Sequence, residues 1–277
     1  MELTAKVAVV TGAGRPAGLG AAIVARLASA GCAVVLSDVG RSADPALPSD
    51  MIGTDSEMER VAANIRADTR ARIATFSCDV RDPARMDALA EFAVRTFGAL
   101  DIWVNNAGIG YLMQPLLEVT PPQWGAVIDV NLTGCFNGIQ AAARRMIAAG
   151  KGGRIINIAS QAAKSGFPYA AAYCASKHGL VGLTRSAAIE LGPHGITVNN
   201  VCPNHVTTGL GAWQNQYFSE RQGLTREEYL ERMRTRIPLG RLGIPQDTAN
   251  AVAFLCSPEA AYITAESLNV SGGEESH

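Results

Sequence analysis

Tyr173 and Lys177 stand four residues apart, and Ser160 lies thirteen residues before the tyrosine. On a helix, residues four apart share a face, which brings the lysine ammonium beside the phenol. A free phenol has a pKa of roughly 10 and is a poor base at neutral pH. A neighbouring cation favours the phenolate, so the pair can exchange a proton with an alcohol or ketone oxygen. Ser160 adds a hydroxyl that can orient and polarise the same oxygen. An alcohol that gives up this proton must also lose hydride from carbon, so the set calls for an electron acceptor beside it.

A candidate acceptor site begins near the start of the chain, in the turn TGAGRPAGLG over 11–20. The turn follows an apolar strand pattern (KVAVVT, 6–11) and opens a helical one (18–30). In that context glycines let the backbone approach a pyrophosphate, whose charge the helix N-terminus stabilises. Gly12, Gly14, Arg15, Gly18 and Leu19 are the residues placed at it. Asp38 closes the second strand pattern, 26 residues beyond Gly12. A carboxylate there accepts hydrogen bonds from adenosine ribose hydroxyls and repels a 2′-phosphate, which favours NAD over NADP. Arg15 and Arg41 are cations that argue the other way.

These residues need a frame that holds them together. Strand patterns fall at 6–11, 33–37, 73–79, 101–105, 153–159 and 196–202. Helical ones fall at 18–30, 83–97, 122–149 and 170–191, with Asp82 as N-cap and Pro83 at the first position of the second. Such alternation without a linker predicts one α/β domain over 1–277, a doubly wound parallel sheet of Rossmann type with helices on both faces. Ligands then bind at the carboxyl ends of the strands, where all the motifs fall. The segment 40–55, rich in Pro, Asp and Ser, reads as an insertion. The aromatic and charged stretch within 207–237 reads as a substrate-covering lid.

Composition narrows the function classes. The 24 basic and 25 acidic residues nearly cancel, with no basic stripe for nucleic acid. No apolar run reaches about 18 residues and no leader precedes the first strand, so the expectation is a cytoplasmic protein without membrane spans. The six cysteines are scattered without metal-ligand spacing, which predicts reduced, packed thiols and no metal site.

With these motifs in this order, the chain resembles the classical short-chain dehydrogenase/reductase family from about Lys6 to Gly273. The resemblance rests on the glycine turn, Cys78-Asp79-Val80, Asn105-Asn106-Ala107-Gly108, Asn131 within NLTGCF, Ser160, Tyr173 with Lys177, and Pro203 through Thr208. It implies that Asp79 and Val80 hold the adenine, through a carboxylate and through backbone. Asn106, Ala107 and Gly108 would line the floor beneath adenosine. Asn131 would kink its helix and hold a water in a proton relay to Lys177. Lys177 would bind the nicotinamide ribose and lower the tyrosine pKa, while Val206 and Thr208 after Pro203 hold the carboxamide. It also implies a homotetramer built on the two long helices and the C-terminal segment.

The chain departs from the family pattern in two places. Five residues, not three, separate Gly12 from Gly18, a spacing similar to that of the divergent enoyl reductases. Those place six residues between tyrosine and lysine, whereas here the residue seven beyond Tyr173 is Leu180. Asn204 stands where the family has a glycine after the proline, and asparagine tolerates unusual backbone angles.

The substrate pocket is expected from Ser160, Gln161, Phe167, Tyr173, Asn204 and His205, with Tyr111, Met113, Gln114, Leu210 and Trp213 around them. Its polar groups suit a polyol, sugar or cyclic alcohol, oxidised reversibly to a ketone with NAD. The alternatives are reduction of a 3-oxoacyl thioester, and a non-catalytic NAD-binding sensor.

Overall fold

The computed structural model describes residues 3–40, 52–110 and 114–275. Seven parallel strands form one sheet in the order β3-β2-β1-β4-β5-β6-β7: β1 Val7–Val10, β2 Ala33–Asp38, β3 Ile73–Ser77, β4 Ile102–Asn105, β5 Gly153–Ile158, β6 Ile196–Pro203 and β7 Ser267–Val270. The helices are α1 Leu19–Ser29, α2 Asp55–Thr69, α3 Pro83–Phe97, α4 Pro121–Ile128, α5 Gly134–Ala149, α6 Ala171–Leu191, α7 Gly209–Arg221, α8 Arg226–Arg236 and α9 Pro245–Cys256.

Side chains on a strand alternate between faces, and here both faces are covered, which explains the unbroken apolar runs. Ala8 and Val10 of β1 join α1 (Ile23, Val24, Leu27), α2 (Val61, Ile65) and α9 (Val252, Leu255) on one side. Val7 and Val9 join α3 (Met86, Leu89), α5 (Ile139, Met146) and α6 (Ala188) on the other. β1 pairs with β2 on one edge and β4 on the other. The strand order reverses there, so the crevice opens at the carboxyl ends of β1 and β4.

Within this apolar frame a buried polar chain crosses the sheet. Trp103 Nε1 donates to Asn105 Oδ1 (2.7 Å), Asn105 Nδ2 to Asn157 Oδ1 (2.8 Å) and Asn157 Nδ2 to Thr184 Oγ1 (2.8 Å). Thr184 Oγ1 in turn donates to Asn200 Oδ1 (2.7 Å), and Asn200 Nδ2 to Ser267 Oγ (2.9 Å). Each unpaired group there would cost about 1–3 kcal/mol, so the chain fixes the register of β4 to β7 and the seat of α6. Since α6 carries Tyr173 and Lys177, this network sits behind the chemistry.

The helix expected over 122–149 is interrupted. A π-helical turn, Asp129–Thr133, separates α4 from α5 and contains Asn131. The segment 207–237 forms the helix pair α7 and α8, capped by Thr208 and by a Thr225–Glu228 capping box. Of the expected insertion at 40–55, residues 41–51 lie outside the described residues. Gly40 and Thr54 at its ends form an isolated parallel bridge.

Candidate active site

A cavity of about 860 Å³ runs along the carboxyl ends of the strands, from the glycine turn and Asp38 to Ser160, Tyr173 and the lid helices. At its cofactor end the turn is fastened to the strand β4 motif. Asn106 Nδ2 donates to the carbonyls of Thr11 (2.9 Å) and Gly12 (2.8 Å), and Thr11 Oγ1 accepts from the Asn106 (3.1 Å) and Ala107 (3.2 Å) amides. Gly12 has φ 64° and lies so close to Ala107 that a Cβ would stand 2.5 Å from its Cα. The lengthened turn is therefore seated, not loose. Gly18 caps α1 without any side-chain hydrogen bond, and Gly18, Leu19 and Gly20 line the cavity. The amides of the first helical turn, which have no intrahelical partner, thus border a ligand space, which fits a pyrophosphate.

Asp38 also lines the cavity and is held by backbone amides: Gly14 N donates to Oδ2 and Val39 N to Oδ1, both at 2.8 Å. Burial raises the pKa of this carboxyl, while the Gly14, Val39 and Gly53 amides and the Arg15 cation pull it back. Gly14 itself, expected as a cofactor contact, does not line the cavity, because its amide is spent on Asp38. Its role is to orient that carboxylate. Asp79 is clamped by Arg81, whose Nη2 lies 2.7 Å from Oδ2 and whose amide donates to Oδ1 at 2.9 Å. The Val80 carbonyl is taken by Asn137 Nδ2 (2.9 Å). Arg15, Val80, Asn106, Ala107, Gly108, Pro203, Val206 and Thr208 all line the cavity.

The reacting end brings Ser160, Tyr173 and Lys177 together on the same cavity. Ser160 follows β5 and its Oγ accepts from Ala162 N at 3.1 Å. The expected depression of the Tyr173 pKa by Lys177 is not what the free protein shows. Burial pushes the phenol up, the hydrogen bond from Ser160 opposes that rise, and the Cys174 and Cys202 thiols add to it. Lys177 is itself buried, and desolvation lowers its pKa against smaller opposing effects of Cys135 and Cys202. Its Nζ donates to the Ile158 carbonyl at 2.8 Å and lies 5.7 Å from the tyrosine ring centroid. The amine is thus engaged with backbone rather than with the hydroxyl. Asn131 is fully buried and does not line the cavity. Its Oδ1 accepts from Ile109 N (2.8 Å), and its Nδ2 donates to Ile109 O (2.8 Å) and Ser176 Oγ (3.2 Å). It pins the chain after β4 to α6, through the residue next to Lys177.

On the substrate side, Gln161, Phe167, Asn204 and His205 line the cavity. Gln114 does not: its amide donates to Tyr169 O at 3.0 Å, which turns the segment towards the 169 loop. Tyr111 and Met113 lie outside the described residues, as do the side chains of Leu210 and Trp213. The unusual backbone angle falls on His205 (φ 43°), one residue later than the expected Asn204. Asn204 instead uses its side chain, with Nδ2 donating to Glu274 Oε2 at 2.6 Å. The helices α7 and α8 cover this end with Phe218, Tyr229 and Met233. Arg221 joins them to the 169 loop, 4.3 Å from the Tyr169 ring centroid. Glu274 and Glu275 of the C-terminal tail also line the cavity. No spacing rule singled them out; two carboxylates after a Gly-Gly pair were the available signal.

A cradle of free helix amides at one end and a hydroxyl–phenol–ammonium set at the other define an oxidoreductase that moves hydride between a dinucleotide and a carbinol carbon. The comparisons agree. A profile described as Enoyl-(Acyl carrier protein) reductase matches residues 12–275. The chain is 37% identical over 274 residues to the D-threitol dehydrogenase of Mycolicibacterium smegmatis, covering 98% of this chain and 94% of that protein. It is 37% identical over 273 residues to a 3-oxoacyl-[acyl-carrier-protein] reductase of Staphylococcus aureus, covering 99% of each. The solved carveol dehydrogenase of Mycobacterium avium in complex with NAD superposes with a TM-score of 0.89 at 32% identity, covering 99% of this chain and 98% of that one. The protein belongs to the classical short-chain dehydrogenase/reductase family. Among the described residues no helix is long and apolar enough to cross a membrane, and no cluster of ligands could hold a metal ion.

Proposed function

We propose that the protein is an NAD(H)-dependent dehydrogenase interconverting a hydroxylated secondary alcohol, such as a polyol, sugar or cyclic alcohol, with its ketone. The carrying observation is that Ser160, Tyr173 and Lys177 share one cavity with the free amides of α1 and the Asp38 carboxylate. The bound nicotinamide supplies an acceptor for the electron pair leaving carbon. Ser160 orients the substrate oxygen and Tyr173 takes or returns its proton. Lys177, whose Nζ donates to the Ile158 carbonyl, binds the nicotinamide ribose in this reading. In this reading α7 and α8, which line the reacting end, form a lid over the substrate.

The polar wall formed by Gln161, Asn204 and His205 supports a hydroxylated substrate, as does the D-threitol dehydrogenase relative. The 3-oxoacyl reductase relative keeps thioester reduction as the second reading. Production of NADH with a panel of polyols and cyclic alcohols, run beside reduction of 3-oxoacyl thioesters, separates the two. Turnover of the thioesters alone overturns the first reading, and binding of NADH without turnover of any substrate favours a sensor.

Asp38 supports NAD over NADP. Asp38→Ala is expected to lower the kcat/KM preference for NAD about tenfold or more, as charge-assisted ribose hydrogen bonds are lost. Asp38→Asn, which retains an acceptor for one backbone amide, guards against collapse of the turn. An unchanged NAD/NADP ratio in both variants contradicts the ribose assignment. Assembly as a homotetramer is supported by exposed Phe136 of α5 and Ile189 of α6, 44% and 76% exposed, on the two long helices. The mass in solution tests it.

A further inference from the structure

The C-terminal tail after β7 is built into the catalytic cavity. Gly272 (φ 65°) and Gly273 (φ 95°) turn it back beneath the end of α8, where a Cβ on Gly272 would meet Ile237 at 2.6 Å. Leu239 N donates to Gly272 O at 3.1 Å, and Ser271 Oγ accepts from the Glu275 amide at 3.3 Å. The turn places two carboxylates on two different loops. Glu275 accepts from Gln161 Nε2 (2.6 Å) and Ser165 Oγ (2.7 Å), immediately beside Ser160. Glu274, whose side chain is 7% exposed, accepts at Oε2 from Asn204 Nδ2 (2.6 Å) and faces His205 Nε2 at 3.1 Å.

Its second oxygen is treated differently. Glu274 Oε1 is buried and accepts no hydrogen bond, although Arg236 Nη2 lies 3.1 Å away. A carboxylate has about four acceptor positions, and a buried one left partly unsatisfied is costly. The Arg236 charge compensates the anion without giving it a directed donor, so Oε1 keeps an unused acceptor position on a side chain that lines the cavity.

We infer that Glu274 is the specificity-determining residue of this site: its Oε1 accepts a hydrogen bond from a substrate hydroxyl beyond the reacting carbinol. This rests on the alcohol dehydrogenase reading above and deepens it. A polyol offers such a hydroxyl at the neighbouring carbons. A simple cyclic alcohol or an acyl thioester offers none and leaves the buried oxygen unpaired. Sites built around a buried acceptor discriminate against analogues lacking the matching donor. Glu275 is a positioning residue in this scheme, holding Gln161 and the 165 loop.

The test measures kcat/KM for a polyol and for cyclohexanol in wild type, Glu274→Gln and Glu274→Asp, with NADH binding and thermal melting as controls. The wild type is expected to prefer the polyol. Glu274→Gln, which turns an acceptor into a donor towards Asn204 and Arg236, is expected to reduce that preference about ten- to hundredfold. Glu274→Asp keeps the charge that Arg236 and His205 face, folds, and withdraws the oxygens by one methylene, so it should also reduce the preference at least about fivefold. A purely structural staple would depress both substrates in the same proportion, and an unchanged preference in the two variants overturns the inference alone. Absence of wild-type activity on every polyol overturns it together with the functional reading on which it rests.

Discussion

Tyr173→Phe is expected to lower kcat/KM for alcohol oxidation by about a thousandfold while leaving NADH affinity within about twofold. The phenyl ring fills the same space on α6, so cavity and fold persist. What disappears is the group that exchanges the proton. Wild-type pH dependence follows from the same residue. Burial holds the phenol above its ordinary range in the free protein, so at neutral pH it is protonated. Oxidation needs the phenolate and therefore accelerates with rising pH until the group has ionised; reduction needs the phenol and slows over the same interval. The residual rate of the Phe variant should lose this dependence. Undiminished turnover, or an unchanged pH profile, would assign proton exchange to another residue.

Lys177→Met is expected to lower kcat about a hundredfold and to raise the KM for NAD about tenfold, because the proposed function gives this one side chain both the ribose and the charge beside the phenol. Its effect on stability runs the other way from its effect on activity. Lys177 is 4% exposed, and desolvation disfavours its charge. Methionine of similar length removes that cost and leaves only the Ile158 carbonyl without its partner, so the thermal midpoint should hold or rise. A lower kcat with unchanged NAD affinity would remove the ribose role. A steep fall in melting temperature would show that the buried cation is a structural requirement instead.

Much of this was readable from the sequence for identifiable reasons. The strands β1 to β6 announce themselves as short apolar runs because both faces of the sheet are covered, and Tyr173 and Lys177 stand at the four-residue spacing that puts them on one helix face. Strand β7 and helix α9 were not placed. The SLNV run of β7 is an edge strand with a partly exposed, half-polar pattern, which carries no periodic signal. The long helix is interrupted at Asn131, where the family resemblance puts a kink; periodicity alone gives no sign of it, since a π-helical turn changes no side-chain type. Asn131 was singled out, yet its bonds to Ile109 and Ser176 depend on a tertiary fold that spacing does not encode. The same holds for Gly14, whose amide serves Asp38, and for the left-handed angle that falls on His205. Glu274 and Glu275 were missed because a tail reaches its partners only after the whole sheet is complete. Sequence distance hides such contacts: Gln161 and Glu275 are 114 residues apart.

The packing of the sulfur atoms carries a practical consequence. Five of the six cysteines are buried and Cys174 alone is partly exposed. Burial pushes the thiols of Cys32 and Cys78 up to about 12 and that of Cys135 to about 11, which suppresses the nucleophilic thiolate. An alkylating reagent offered to the native protein therefore has one slow target, next to Tyr173, whereas the unfolded chain presents six. The number of alkyl groups acquired over time thus becomes a built-in clock for opening of the fold, readable by mass without any introduced label.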